Sequence, residues 1–193
     1  MKKLKYLLLA ALMCLALAGC GKKDEDTTEA ATEASSDAAV KPQDEIVQLV
    51  NVDLPAIAAD RDSAVAIYNK YFEEGADIDS EAWKNQLQNE ALTSYDTYLT
   101  NLKALSYQNG EVQNLVDIYV KSAEYQRDAI QYVIDAMNDV DTDKLDEASS
   151  AIADSKTYLG MYEKELTRLC ESYGINMIGD FGTATDASST DAE

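Results

Sequence analysis

From Gln43 to Tyr173 the apolar residues return every three or four positions almost without a break. That repeat belongs to helices that bury one face, whereas strands would alternate every second residue. Two prolines and eight glycines are few for the many turns of a β-rich chain. The first long stripe is Leu54, Ile57, Ala64, Tyr68 and Tyr71, preceded by a shorter amphipathic piece with Ile46, Leu49 and Val50. Pro55 belongs near a helix start, so Asp53 is expected to cap a new helix there, with a kink as the alternative. A second helix is predicted from about Ser80 to Tyr107, capped by Asp79 or Ser80, with Trp83, Leu87, Ala91, Tyr98, Leu102 and Leu105 on its stripe. After an Asn109-Gly110 turn, the third stripe is Val112, Val116, Tyr119, Ala123, Ile130, Val133 and Met137. Asp141 is expected to cap the fourth helix, with Leu145, Ala148, Ile152, Leu159, Tyr162, Leu166, Leu169 and Tyr173. Gly174 should stop it, with Ile175 packing back. Short connections between long helices make antiparallel neighbours. The expected fold is therefore all-α: an up-down-up-down four-helix bundle over residues 43–181, with a short extra N-terminal helix.

Charge and residue usage remove several function classes. The chain carries 36 acidic and 16 basic side chains, a net charge of −20. Such a surface is repelled by phosphate backbones, which argues against a nucleic-acid partner. Peripheral docking on anionic lipid is disfavoured for the same reason. Histidine is absent, and with it go imidazole-based acid–base catalysis, His-containing triads and the Glu-x-x-His pairs of a di-iron bundle. No Gly-rich phosphate loop, nucleophile motif or paired-carboxylate signature stands out, so no enzyme and no cofactor are expected.

The amino terminus reads as an address. Lys2, Lys3 and Lys5 precede a 13-residue apolar run, Tyr6 to Ala18, which is shorter than the roughly 20 residues of a membrane-spanning helix. The run ends in Leu17-Ala18-Gly19-Cys20, a tetrapeptide that resembles the bacterial lipobox. The resemblance covers residues 1–20 and implies removal of residues 1–19 by the lipoprotein signal peptidase, with a diacylglyceryl thioether on the Cys20 sulfur. Two acyl chains make a stable anchor where one gives marginal binding. The implied partner is thus the lipid bilayer, at the outer face of the cell membrane. The Lys-Lys-acidic start of the mature chain leans toward a Gram-positive host, and in a Gram-negative one the anchor would face the periplasm. Cleavage removes the three leading lysines and carries the net charge from −20 to −23. It also removes Cys14, so with Cys20 lipidated Cys170 is the remaining thiol and no intramolecular disulfide can form. On an apolar stripe beside Leu169, Cys170 is expected to be buried and inert.

Residues 20–42 hold the lipidated cysteine and then Lys, Asp, Glu, Thr, Ser and Ala with almost nothing apolar. They read as a disordered tether, averaging about 26 Å end to end as a flexible coil. The tail, 182–193, has the same character. As a lipid-tethered, acidic four-helix bundle the chain looks like the small helical lipoproteins of Gram-positive bacteria whose roles are undefined, and no motif in residues 43–181 identifies a family.

One pattern goes beyond composition. Each stripe is interrupted near mid-helix by a polar residue: Arg61, Ser94, Gln126 and Ser155. Reflecting the chain at its turns sets the four within roughly one helical turn in height, which predicts a shared polar layer in the interior. Such a layer fixes register at some cost in stability. A buried Arg61 would need a carboxylate or several acceptors; Glu90, Glu124 and Asp154 flank the layer, and Tyr95 could supply a hydroxyl. The rival reading is a pocket for a small anion held by Arg61. Asp139, Asp141 and Asp143 open like a calcium loop, but Lys144 stands where glycine is needed and Ser150 where a bidentate Glu belongs. Capping accounts for these aspartates, and no metal site is expected. Tyr95, Tyr98, Tyr125, Tyr132, Tyr158 and Tyr162 recur at helical spacing, as buried rings with hydroxyls reaching water or as a recognition face for sugar or peptide. The function expected is a non-enzymatic, lipid-tethered binding or scaffolding module. Its alternative is a solute- or signal-binding protein working through the Arg61 layer or the tyrosine face.

Overall fold

The computed structural model describes residues 40–70 and 79–176. The expected signal, nearly all of the expected tether, the expected end of the first helix at Tyr71–Glu74 and the expected tail lie outside the described residues. Among those described the structure is all-helical in class, with four helices and no strand. None of these helices is long and apolar enough to cross a membrane.

The first helix joins α1 (Pro42–Gln48), a π-helical turn (Leu49–Asp53) and α2 (Leu54–Lys70). Pro42 opens it, where a missing N–H costs nothing. The cap expected at Asp53 does not form, because the backbone runs helically through Leu49 and Leu54. Pro55 brings no N–H and crowds the carbonyl four residues back, Asn51, and a wide turn around that carbonyl accommodates both. The Asp53 carboxylate instead accepts from Gln48 Nε2 at 2.9 Å and from the Tyr107 hydroxyl at 2.5 Å.

The second helix joins α3 (Ser80–Gln86), another π turn (Leu87–Ala91) and α4 (Leu92–Ala104). Asp79 caps it, accepting from the Glu81 and Ala82 amides at 2.8 and 3.3 Å. Its buried positions Trp83, Leu87, Ala91 and Tyr95 are spaced by three successive fours. A 3.6-residue helix would drift off the core over that stretch, and the wide turn returns the stripe to it. The helix stops at Ala104, short of Tyr107, because Leu105 turns extended. The amides of Tyr107, Gln108 and Asn109 go to side chains: Gln113 takes the first and Glu45 the other two.

The third helix is α5 (Gly110–Asp139) and the fourth α6 (Asp143–Tyr173). The Asn109 side chain caps α5 through the Glu111 and Val112 amides. Val140 ends α5 in the left-handed region, φ 54°, a strained place for a β-branched residue. Thr142 holds the cap position of α6 without a side-chain bond, while Asp141 accepts from the Asp143 amide at 2.9 Å. Gly174, φ 67°, closes α6 as expected from its sequence. The Ile175 amide reaches the Cys170 carbonyl and the Gly174 amide the Glu171 carbonyl, the two bonds of a Schellman stop.

Neighbours in the chain pack together: α2 against α4, α4 against α5, α5 against α6, with α1 resting on α5 and α6. The stripes read from the sequence line this core, Ala64, Tyr68, Trp83, Leu87, Leu102, Val116, Val133, Leu166 and Leu169 among them. Small residues on the α5–α6 seam (Ser122, Ala129, Ala136, Ala148, Ala151, Ser155) are all buried and let these two backbones approach closely.

Candidate functional site

The interior holds two polar groups rather than one level layer. On α5 and α6, Gln126 Nε2 donates to Ser155 Oγ at 2.9 Å, and Ser122 Oγ lies 2.9 Å from the Ser155 carbonyl and 3.0 Å from its hydroxyl. Tyr95, from α4, donates to Gln126 Oε1 at 2.5 Å. Gln126 and Ser155 therefore meet. Ser94 is half-buried on the same helix as Tyr95 but joins none of these bonds.

Arg61 joins a separate set of bonds. It is 6% exposed, and its Nη1 donates to the Tyr119 hydroxyl at 3.0 Å. Tyr119 precedes Gln126 by two helical turns, about 10 Å along α5, and the hydrogen bonds of Arg61 go to Tyr119 and Asp62 rather than to Ser94, Gln126 or Ser155. Its acidic partner also differs from those expected. Nε and Nη2 both reach Asp62 Oδ1, at 3.0 and 2.7 Å. Glu90 and Asp154 face solvent, and Glu124 is held by Lys103 and Lys121. The guanidinium also lies 5.9 Å from the Tyr98 ring centroid, within cation–π reach. Burial works against its charge, but Tyr119, Tyr98 and Asp62 outweigh that and hold Arg61 above the ordinary arginine range. The two polar groups touch through aromatic rings, Tyr95 packing edge-on against Tyr98 at 5.5 Å.

The tyrosines divide by place. Tyr95, Tyr98 and Tyr162 are interior, each 2% exposed or less, and burial first, then Tyr119, pushes the phenols of Tyr95 and Tyr98 well up. The Tyr95 hydroxyl ends on Gln126 inside the protein rather than reaching water. Tyr125, Tyr132 and Tyr158 are half-buried along the α5–α6 seam. Tyr125 and Tyr158 stack at 5.6 Å and 26°, and Lys144 sits 5.4 Å from the Tyr132 ring centroid. Each of these rings has a face occupied from within the molecule.

Sequence reasoning passes over Ser122, Tyr119 and Glu45, and over Asp62, the neighbour that pairs with Arg61. Ser122 and Tyr119 lie in the α5 register that contains Gln126, so a serine among buried positions was the available signal. Glu45 had none, since its carboxylate serves backbone amides more than 60 residues away. Among the described residues no group of His, Cys, Asp and Glu is placed to hold a metal ion. Comparison with known protein families, curated proteins and solved structures finds no match to this chain.

Proposed function

We propose that this chain is a lipid-anchored, extracytoplasmic lipoprotein whose helical domain, an up-down-up-down four-helix bundle, serves as a non-enzymatic binding or scaffolding module. The observation that carries the choice of module over solute binder is the state of the interior. Arg61, Tyr95, Ser122, Gln126 and Ser155 each have hydrogen-bond partners within the bundle. Displacing them for a solute would leave buried polar groups unpaired, at about 1–3 kcal/mol each. A fold whose interior is spent on itself has its surface left for recognition.

The place of action rests on the lysines, the apolar run and Leu17-Ala18-Gly19-Cys20. With acyl chains on Cys20 the acidic body stays beside a bilayer that its own charge would not seek. Growth of the host with labelled palmitate tests this. Label is expected on the wild-type chain and absent from Cys20→Ser, which should be recovered outside the membrane fraction. Label retained by Cys20→Ser defeats the anchor.

A further inference from the structure

The first helix is held to the bundle differently along its length. Its later part, α2, buries Arg61, Ala64 and Tyr68. Among the apolar side chains of residues 42–53 only Ile46 and Leu49 are buried, while Val47 and Val52 stand 44% and 50% exposed. Beside these two buried side chains, each 1% exposed, two carboxylates fix this segment. Glu45, 6% exposed, accepts from the backbone amides of Gln108 at 2.7 Å and Asn109 at 2.9 Å. Asp53 takes the Tyr107 hydroxyl. Both carboxylates land on the single connection between α4 and α5. The wide π turn, Leu49–Asp53, lies between Glu45 and α2 and carries Asp53 as its last residue; at such a turn a helix bends most readily. A segment with few buried apolar contacts beside such a turn opens in its own step rather than with the whole domain.

We propose that residues 42–53 form a strap, that Glu45 latches it to the α4–α5 connection, and that releasing the latch lifts the strap at the π turn and uncovers the end of α6 around Cys170. The strap packs against α5 and α6, and Ile46, Leu49 and Cys170 share one buried cluster. Cys170 is 3% exposed, and burial pushes its thiol up, so it reacts slowly while the strap is down. The strap is the first part of the domain after the tether. A pull on the anchor therefore arrives at the latch. The latch itself stands on described residues alone, and only its link to the membrane rests on the lipoprotein reading.

The test alkylates the full chain in native membranes with N-ethylmaleimide and locates modified cysteines by peptide mapping. Glu45→Ala is expected to speed alkylation of Cys170 by about tenfold or more, with amide exchange over Ala129–Ala136 of α5 unchanged. Glu45→Gln keeps the volume but sets an NH2 group against backbone donors, and should fall between wild type and Glu45→Ala. If Glu45→Ala fails to accumulate, Glu45→Gln is read by the same measure. An unaltered Cys170 rate overturns the latch. So does acceleration accompanied by lost protection across α5, because Glu45 would then support the whole fold. Alkylation at Cys20 in the same map counts against the anchor and leaves the latch to be decided by Cys170.

Discussion

The third and fourth helices are regular and the first two are not, and the reason lies in the order of threes and fours. Along α5 the inward positions Val112, Val116, Tyr119, Ala123, Gln126, Ile130, Val133 and Met137 alternate four and three throughout. Leu145 to Tyr173 on α6 does the same. A strict alternation averages 3.5, which a helix follows with slight supercoiling. In the second helix three fours come together, and in the first Ile46, Val50 and Leu54 set two fours side by side just before Pro55. Both stretches contain a π turn. A run of fours in a buried stripe thus asks for a turn wider than 3.6 residues.

Single-residue deletions would break this contrast if it is wrong. Removing Asp128 from α5 leaves three threes in succession and rotates Ile130, Val133 and Ile134 by about 100° away from the core. Those side chains are 4% exposed or less, and losing their burial costs about 5 kcal/mol or more, comparable to the stability of a whole domain. Thermal melting followed by circular dichroism should show no cooperative transition. Removing Asn89 from the second π turn restores four-three-four spacing, and the same melt should stay within about 1 kcal/mol of wild type. Equal damage from both deletions would sink the account.

Arg61 supplies the next largest effect and sharpens the comparison from inside. Arg61→Ala leaves a cavity and takes the guanidinium away from the Tyr119 hydroxyl, and is expected to lower stability in urea unfolding by about 2–4 kcal/mol. Arg61→Met fills the space without a charge and should cost less than about 1.5 kcal/mol. Had Arg61 been kept for a ligand, both variants would be close to neutral in the free protein.

How much of this could be read from the chain follows from what each feature depends on. Apolar stripes, the Asp79 cap and the Gly174–Ile175 stop are local patterns, and local patterns survive folding. The wide turns are also written locally, as consecutive fours, but Pro55 suggests a cap at Asp53 and masks the one in the first helix. The meeting of Gln126 with Ser155 depends only on two regular helices packed side by side. The partners of Arg61 depend on how far its long side chain reaches, which counting at 1.5 Å per residue does not carry, so the bond to Tyr119 is not legible in the spacing. Glu45 depends on a connection distant in sequence and left no trace in any pattern. The proposed anchor rests on the pattern in residues 1–20 alone, and those residues lie outside the described structure.

The smallest effect concerns the surface where the irregular and regular halves meet. Hydrogen bonds from Lys103 on α4 and Lys121 on α5 hold the Glu124 carboxyl below its usual value of 4.5. A depressed carboxylate stabilises the fold at pH above that value, and the contribution is lost as pH falls through the folded one. For a pair this open to water the loss is under about 1 kcal/mol. Carbon-detected titration of Glu124 in wild type and Lys103→Met should show the variant titrating at higher pH.

The domain also closes on itself. Glu45 grips the start of α5, and Tyr173, at the far end of α6, bonds to Glu111 one turn further along. The places where the chain enters and leaves the bundle are therefore near neighbours on one pole. Cutting the backbone at Val140, 89% exposed, and joining the old ends by a short linker would give a circular permutant of the same body, able to hang from its opposite pole.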